Sequence, residues 1–385
     1  MRKSIVPVLV AAILLSVLCP GVALGQGDTP TDPSFILMDT VTGQILTGER
    51  ADVRRAPASV TKVMTMLLAV EAVKEGKASY DDVVRVSAKA AGIGGSQIYL
   101  AEGERITLHD LMIAIAVASA NDACVAVAEH MAGTEEVFVA LMNREAERLG
   151  LTNTHFTNTN GLPEDSHYSS AHDLAVITRE LVLRHPEVLE WTSARYTTIR
   201  DGKTTLYNTN KLLGQVDGLN GMKTGHTQNA GHCLSATASR GEEHRISVVM
   251  GYPTESERWQ KTSELLEYGF RAFDRLNPAK QGDVVGKVDV KNGVSLTVDA
   301  VAAADFSFLV ELTQRDRVST QIIQDDVEAP ITAGTQVGRF VAVVGGQEVN
   351  SVPIYAGEDV LRASAPVRAW RAVVRFVKGL FGAGD

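Results

Sequence analysis

The chain has 385 residues, 45% of them hydrophobic, and a formal net charge of −9 at pH 7. That length and apolar content exclude a disordered chain and leave room for two domains. The acidic balance, with no basic stripe outside the C-terminal tail, excludes nucleic acid as the main partner. The nine histidines form no His-Glu-x-x-His and the three cysteines no Cys-x-x-Cys, so no metal or cofactor signature is present.

The N-terminus reads Met1-Arg2-Lys3, then an apolar run from Ile5 to Leu18, then Ala23-Leu24-Gly25. This is the pattern of an export signal over residues 1–25. A retained N-terminal anchor is the rival reading, because the apolar stretch approaches the ~20 residues that span a bilayer. Cys19 suggests a lipoprotein, but Leu18 stands where a small residue is wanted. After cleavage only Cys124 and Cys233 remain, each within an apolar run, and two buried thiols are expected in place of a disulfide.

From Ser34 a strand, a turn at Gly43 and a second strand are predicted. Next comes Pro57-Ala58-Ser59-Val60-Thr61-Lys62-Val63-Met64-Thr65, where Ser-x-x-Lys opens a long apolar helix running to about Val73. Residues three apart share a helix face, so an amine stands beside a hydroxyl. A lysine whose pKa is lowered by burial can activate a serine. Alone, the tetrad reads first as a helix cap followed by a solvated lysine, and the downstream motifs decide.

Gly92-Ile93-Gly94-Gly95-Ser96 reads as a loop. Thr107 caps an almost wholly apolar helix through Val117, and a second runs from Ala123 to Met131, stopped by Gly133. Ser119-Ala120-Asn121 lies between them, and polar side chains so placed need a partner or a function. Residues Thr154 to His167 form a long loop before the helix opened by Ser170, and His167 and His172 read as loop and cap residues. Gly221-Met222-Lys223-Thr224-Gly225-His226-Thr227 and Ala230 to Thr237 read as strand, turn, strand. A lysine and threonine followed by a glycine can hold a carboxylate while a substrate backbone lies alongside; a charged surface hairpin is the alternative.

Near Leu276 to Pro278 the helical periodicity stops. A hairpin of Val284–Val290 and Val294–Val298 around Asn292-Gly293, with later strands near Phe306–Leu312, Ser319–Ile323, Val337–Val344 and Val349–Tyr355, predicts a small β-sandwich. Last, Pro366 to Phe381 places Val367, Trp370, Val373, Val374, Val377, Leu380 and Phe381 on one helical face and Arg368, Arg371, Arg375 and Lys378 on another. At 1.5 Å per residue it reaches only about 24 Å, so it is expected to lie in a membrane surface; docking on the β-domain is the alternative.

Ser59-x-x-Lys62, Ser119-x-Asn121 and Lys223-Thr224-Gly225, in that order in an exported chain, resemble the three motifs of penicillin-binding proteins and serine β-lactamases. The surrounding residues are closer to the low-molecular-mass D-alanyl-D-alanine carboxypeptidases, and the resemblance covers nearly the whole mature chain. It implies an α/β (α+β) transpeptidase-like catalytic domain over 33–276, an antiparallel sheet with helices on both sides. A β-sandwich over 280–362 and an amphipathic helix over 366–381 follow. It also implies roles: Ser59 as acylated nucleophile, Lys62 as its base, Ser119 and Asn121 as proton relay and substrate-amide contact, Lys223 and Thr224 as carboxylate site. Gly225 lies beside the substrate, and the backbone N–H groups of Ser59 and His226 form the oxyanion hole. Arg258 stands roughly where the family has an arginine near the carboxylate.

Asn220 departs from the aspartate frequent before the glycine of the lysine strand. The implied substrate is a peptidoglycan stem ending in D-Ala-D-Ala, with β-lactams as acylating inhibitors, no cofactor, and peripheral residence on the outer face of the cytoplasmic membrane. A β-lactamase or DD-endopeptidase on the same fold, or an inactive wall-binding scaffold, are the other readings. Glu164, after Gly161-Leu162-Pro163, does not match the surroundings of a class A deacylating glutamate.

Overall fold

Alternation along one strand sets the layers. In β1 (Ser34–Asp39), Ile36 and Met38 enter one apolar core and Leu37 the other, as the period of two requires. The structure, a computed structural model, describes residues 32–380 and the side chains of 32–374. The export-signal segment 1–25, with Cys19, lies outside the described residues.

In chain order β1 is followed by β2 (Ile45–Glu49), α1 (Lys62–Lys74), β3 (Val83–Arg85), α2 (Ala88–Gly92) and β4 (Arg105–Thr107). Then come α3 (Leu108–Ile113), α4 (Asn121–Ala132), α5 (Glu135–Arg148), α6 (Ala171–Arg184), α7 (Val188–Thr192) and a hairpin of β5 (Tyr196–Ile199) and β6 (Thr204–Tyr207). The unit closes with β7 (Leu219–Thr227), β8 (Gly231–Arg240), β9 (Glu243–Tyr252) and α8 (Glu255–Arg271). The main sheet has the order β2-β1-β9-β8-β7 and is antiparallel throughout. Residues of α1, α3, α4 and α6 share a core with one sheet face, and Leu265 and Leu266 of α8 with the other. The expected sheet with helices on both sides is therefore what forms. Strands β7, β8 and β9 follow one another through short turns and β9 then pairs with β1, which places β7 at the edge of the sheet, where an added strand can pair.

The second unit contains β10 (Phe273–Ala279), β11 (Val284–Asp289), β12 (Thr297–Ala302), β13 (Phe306–Glu311), β14 (Val318–Gln324), β15 (Gln336–Val344) and β16 (Gln347–Ala356). A five-stranded sheet, β11-β12-β16-β15-β14, faces the β10–β13 pair across a core that includes Phe306, Phe308, Phe340 and Ile354. The sandwich begins at Phe273, a few residues inside the segment that the sequence reading gave to the catalytic domain, because β10 pairs with β13 from its first residue. Asn292-Gly293 is not a two-residue hairpin turn. The N–H of Lys291 donates to Val327 O at 2.8 Å and that of Val294 to Leu361 O at 2.8 Å, so these residues pair elsewhere and β12 starts only at Thr297.

The units are joined by charge and by amide. Buried Asp39 receives Arg245 and Arg275 at 2.7 Å each, and Glu243 receives the same two guanidiniums. Gln44 of the β1–β2 turn donates to Leu309 O and accepts from Leu309 N–H, both at 2.8 Å. The last helix, α9 (Ala365–Leu380), leans on the sandwich: Arg371 donates to Gly293 O and Val294 O at 2.7 and 3.0 Å.

Candidate active site

The nucleophile stands one turn before the helix that the sequence assigns to it. Pro57 precedes a 3₁₀ turn, Ala58–Thr61, with Ala58 in the left-handed region at φ 47°, and α1 proper starts at Lys62. A 3₁₀ turn eclipses residues i and i+3, and this brings Lys62 Nζ to 2.7 Å from Ser59 Oγ. Ser59 is half-buried, whereas Lys62 is fully enclosed. Burial pushes the Lys62 amine down to about 8, with the thiol of Cys124 and the carboxylate of Asp122 acting weakly in the other direction. A second contact aims it: Lys62 Nζ donates to Asn160 O at 2.6 Å.

Asn160 is a site residue that sequence reasoning missed. Its loop lies directly on the nucleophile turn, for Gly161 has φ +85° and any Cβ there would meet Ala58 O at 1.9 Å. The signal was the Asn-x-Asn-Gly itself: the Asn158 side chain accepts the N–H of Asn160 and Gly161, a local turn that only glycine completes.

Thr107 caps α3 as expected, accepting the Asp110 N–H, and a π turn over Ala114–Ala118 continues it to Ser119. Ser119 occupies the left-handed region at φ 61°, a conformation costing about 1 kcal/mol for a residue with a side chain. The reversal starts α4 at Asn121 and keeps both polar side chains buried. Asn121 Nδ2 donates to Gly94 O at 2.7 Å, which leaves its buried Oδ1 without a protein partner and available to a substrate N–H. Asp122 accepts the N–H of Ile98 and Leu100, pinning the glycine loop against α4.

Lys223, Thr224 and Gly225 lie on edge strand β7, against the nucleophile turn. A Cβ on Gly225 would come within 2.9 Å of Pro57 O and 3.1 Å of Ser59 N. Glycine is thus required where the substrate carbonyl must reach the Ser59 amide. Lys223 is buried, and burial, with Lys62 and Arg258 adding repulsion, holds its amine well below the ordinary lysine value. Thr224 Oγ1 meets Thr209 Oγ1 at 2.6 Å, and the Thr209 N–H donates to Val117 O at 3.2 Å. Thr209, also unmarked in the sequence, therefore ties the lysine strand to the turn carrying Ser119.

His226 is exposed and stacks on His232, its partner across β8, with ring centroids 4.1 Å apart. Arg258 is buried and spans Gly225 O and Cys233 O at 3.4 Å each, with Glu255 at 3.2 Å. It lies beside the lysine strand and braces it through those two carbonyls. Asn220 is fully engaged: it donates to Ser239 Oγ, accepts from Thr237 Oγ1, and its carbonyl accepts from Thr192 Oγ1. Cys124 and Cys233 are buried free thiols. His172 is not the cap expected of it but the second residue of α6, whose cap is Ser170, and it bonds Asp173, while His167 is buried against Thr61. Glu164 is exposed on its loop. Among the described residues no group of three or more His, Cys, Asp or Glu could hold a metal ion.

With this geometry in place, comparison with known proteins is informative. The family model described as D-alanyl-D-alanine carboxypeptidase matches residues 26–254, and that described as penicillin-binding protein 5, C-terminal domain, matches 273–362. The chain is 37% identical over 372 residues to the D-alanyl-D-alanine carboxypeptidase DacF of Bacillus subtilis (strain 168), covering 94% of this chain and 95% of that protein. Penicillin binding protein 5 from Haemophilus influenzae superposes with a TM-score of 0.79 at 32% identity, over 86% of this chain and 98% of that one. Penicillin-binding protein D2 from Listeria monocytogenes, solved in an ampicillin-bound form, gives a TM-score of 0.57 at 34% identity over 62% of this chain and 96% of its own.

Proposed function

The chain belongs to the D-alanyl-D-alanine carboxypeptidase family, and from that premise we propose that it removes the terminal D-Ala of peptidoglycan stem pentapeptides through an ester on Ser59. It is a serine-type hydrolase of the penicillin-binding class. The observation that carries the chemistry is the 2.7 Å approach of a buried, pKa-lowered Lys62 amine to a half-exposed Ser59 hydroxyl.

The stem peptide lies along the outer edge of β7 as an added strand, its terminal carboxylate held by Lys223 and Thr224. That carboxylate favours the protonated form of the buried Lys223 amine. The scissile carbonyl oxygen enters between the N–H groups of Ser59 and His226, where negative charge develops. Neutral Lys62 takes the Ser59 proton as Oγ attacks the carbonyl carbon. As the C–N bond breaks, the lysine proton passes by way of Ser119 to the leaving amine of D-Ala. A water then attacks the ester, gives its proton to Lys62, and Ser59 leaves as the hydroxyl.

β-Lactams enter as carboxylate-bearing analogues whose ring opens on Ser59, and the leaving group stays attached. The sequence around Glu164 does not match that of a class A deacylating glutamate, which supports slow deacylation of that adduct and a long-lived penicilloyl-enzyme. The test is to incubate the mature protein separately with a stem pentapeptide and with penicillin, measuring free D-Ala and penicilloic acid. D-Ala release with slow penicillin turnover is expected; rapid penicillin hydrolysis without D-Ala would assign a β-lactamase.

The protein is further proposed to be exported and held peripherally at the outer face of the cytoplasmic membrane. No helix among the described residues is long and apolar enough to cross a membrane. What supports surface attachment is the exposure of Val367, Trp370 and Val373 on α9, side chains of the kind that enter the acyl boundary. Arg371 is spent on the sandwich carbonyls, so the apolar face, more than this cation, carries the attraction. Deleting residues 366–385 is expected to release active enzyme from membranes into the soluble fraction. A truncated protein that still sediments with membranes would make the N-terminal segment the anchor.

A further inference from the structure

His167 is buried behind no motif of its own, yet it reaches Thr61, 106 residues away in the chain and next to Lys62. Its Nε2 lies 2.8 Å from Thr61 Oγ1. Its Nδ1 accepts the backbone N–H of Thr157 at 3.1 Å. A backbone N–H can only donate, so Nδ1 carries the lone pair, and the proton of the neutral ring is on Nε2, directed to the threonine hydroxyl. The edge of Phe156 fixes the ring plane, with centroids 5.8 Å apart. The same loop gives Asn160 O to Lys62 and Thr159 O to Thr65 Oγ1, both at 2.6 Å.

We propose that His167 is a positioning residue for the Ser59–Lys62 pair, its neutral imidazole tying the loop that carries Asn160 to the turn that carries Ser59. The tie has two functions. It keeps the Asn160 carbonyl on the lysine amine, and it keeps water away from an amine whose low pKa depends on burial. The ring suits the place because it stays uncharged: burial, with His155 and Lys62 nearby, pushes it down to about 4. Charged or titratable neighbours of Lys62 are Cys124, Asp122 and Lys223 from the packed helices and strand, and from the loop His167 itself, which is uncharged across the working range.

The assignment rests on Lys62 acting as the base, and the test separates the two. In the wild-type protein the rate of penicillin acylation is measured against pH, and a limb near 8 reports Lys62 itself. His167→Ala is expected to slow acylation about 10- to 100-fold at pH 7, as a misplaced base does, and to move the limb up toward the ordinary lysine value of about 10.5 as water enters. KM for the pentapeptide should stay within about threefold, since the carboxylate site is untouched. His167→Gln can accept from Thr157 and donate to Thr61 without titrating, and is expected to restore both the rate and the limb. Should the alanine variant not fold, Thr61→Val removes the acceptor at constant volume and predicts the same displacement. A limb that stays near 8 in these variants, or a glutamine variant as slow as alanine, would overturn the positioning role. A wild-type limb elsewhere would instead overturn the role of Lys62.

Discussion

Ser59→Ala is expected to abolish covalent penicillin labelling and to lower D-Ala release by about 10⁴-fold or more, the scale on which removal of an acyl-transfer nucleophile acts. The fold should survive, because Ser59 Oγ is partly exposed and its one side-chain bond, to Lys62, is replaced without leaving a buried acceptor unsatisfied. Lys62 retains Asn160 O. Peptide mapping of wild-type adduct should put the penicilloyl group on the peptide containing Ser59. An adduct on another residue, or an alanine variant that still forms one, would remove the nucleophile assignment and with it the acyl-enzyme mechanism.

Lys62→Arg is expected to be almost as damaging, losing about 10³-fold in acylation, within the range for general-base removal. The charge is kept, so charge alone is not at issue. A guanidinium stays protonated at any working pH and cannot take a proton from Ser59. The pH dependence follows with a definite sign. Only the neutral amine is a base, so with a value of about 8 roughly one tenth of the enzyme is competent at pH 7, and acylation rises as pH increases through 8. The arginine variant should show no such rise. If it keeps a limb near 8, the titrating base is another group, and Lys223, the other buried and pKa-lowered lysine, becomes the candidate.

Much of this site was legible because its chemistry is written locally. Ser59 and Lys62 are one turn apart, Ser119 and Asn121 bracket a break between two apolar helices, and Lys223 to Gly225 share one strand. Thr107 and Ser170 were readable as caps for the same reason, and both accept the expected N–H. The helix α8 had as clear a mark, a capping box between Thr254 and Glu257, and went unread. What the sequence could not disclose is what pairs at long range. Nothing near His167 announces Thr61, and nothing near Asn160 announces that its carbonyl, not its side chain, holds Lys62. The hairpin read around Asn292-Gly293 forms, β11 pairing antiparallel with β12, but its connection is longer than a two-residue turn because Lys291 and Val294 hydrogen-bond to Val327 and Leu361, which local pattern does not bring near. The Ser59 turn differed from an α-helix because Ala58 adopts a left-handed backbone, its carbonyl packed against Gly161 of the facing loop.

The missing side chain at Gly225 bears on how such an enzyme could escape antibiotics. A methyl group there would stand 3.1 Å from the Ser59 amide and 2.9 Å from Pro57 O, in the space that the carbonyl oxygen of either a β-lactam or a D-Ala peptide must occupy. Drug and substrate ask for the same void, so no substitution at this position can refuse one and admit the other. Resistance by altering this target has to arise where the two molecules differ, at the glycine loop over Asn121 or in the fate of the ester, and position 225 is closed to it by geometry.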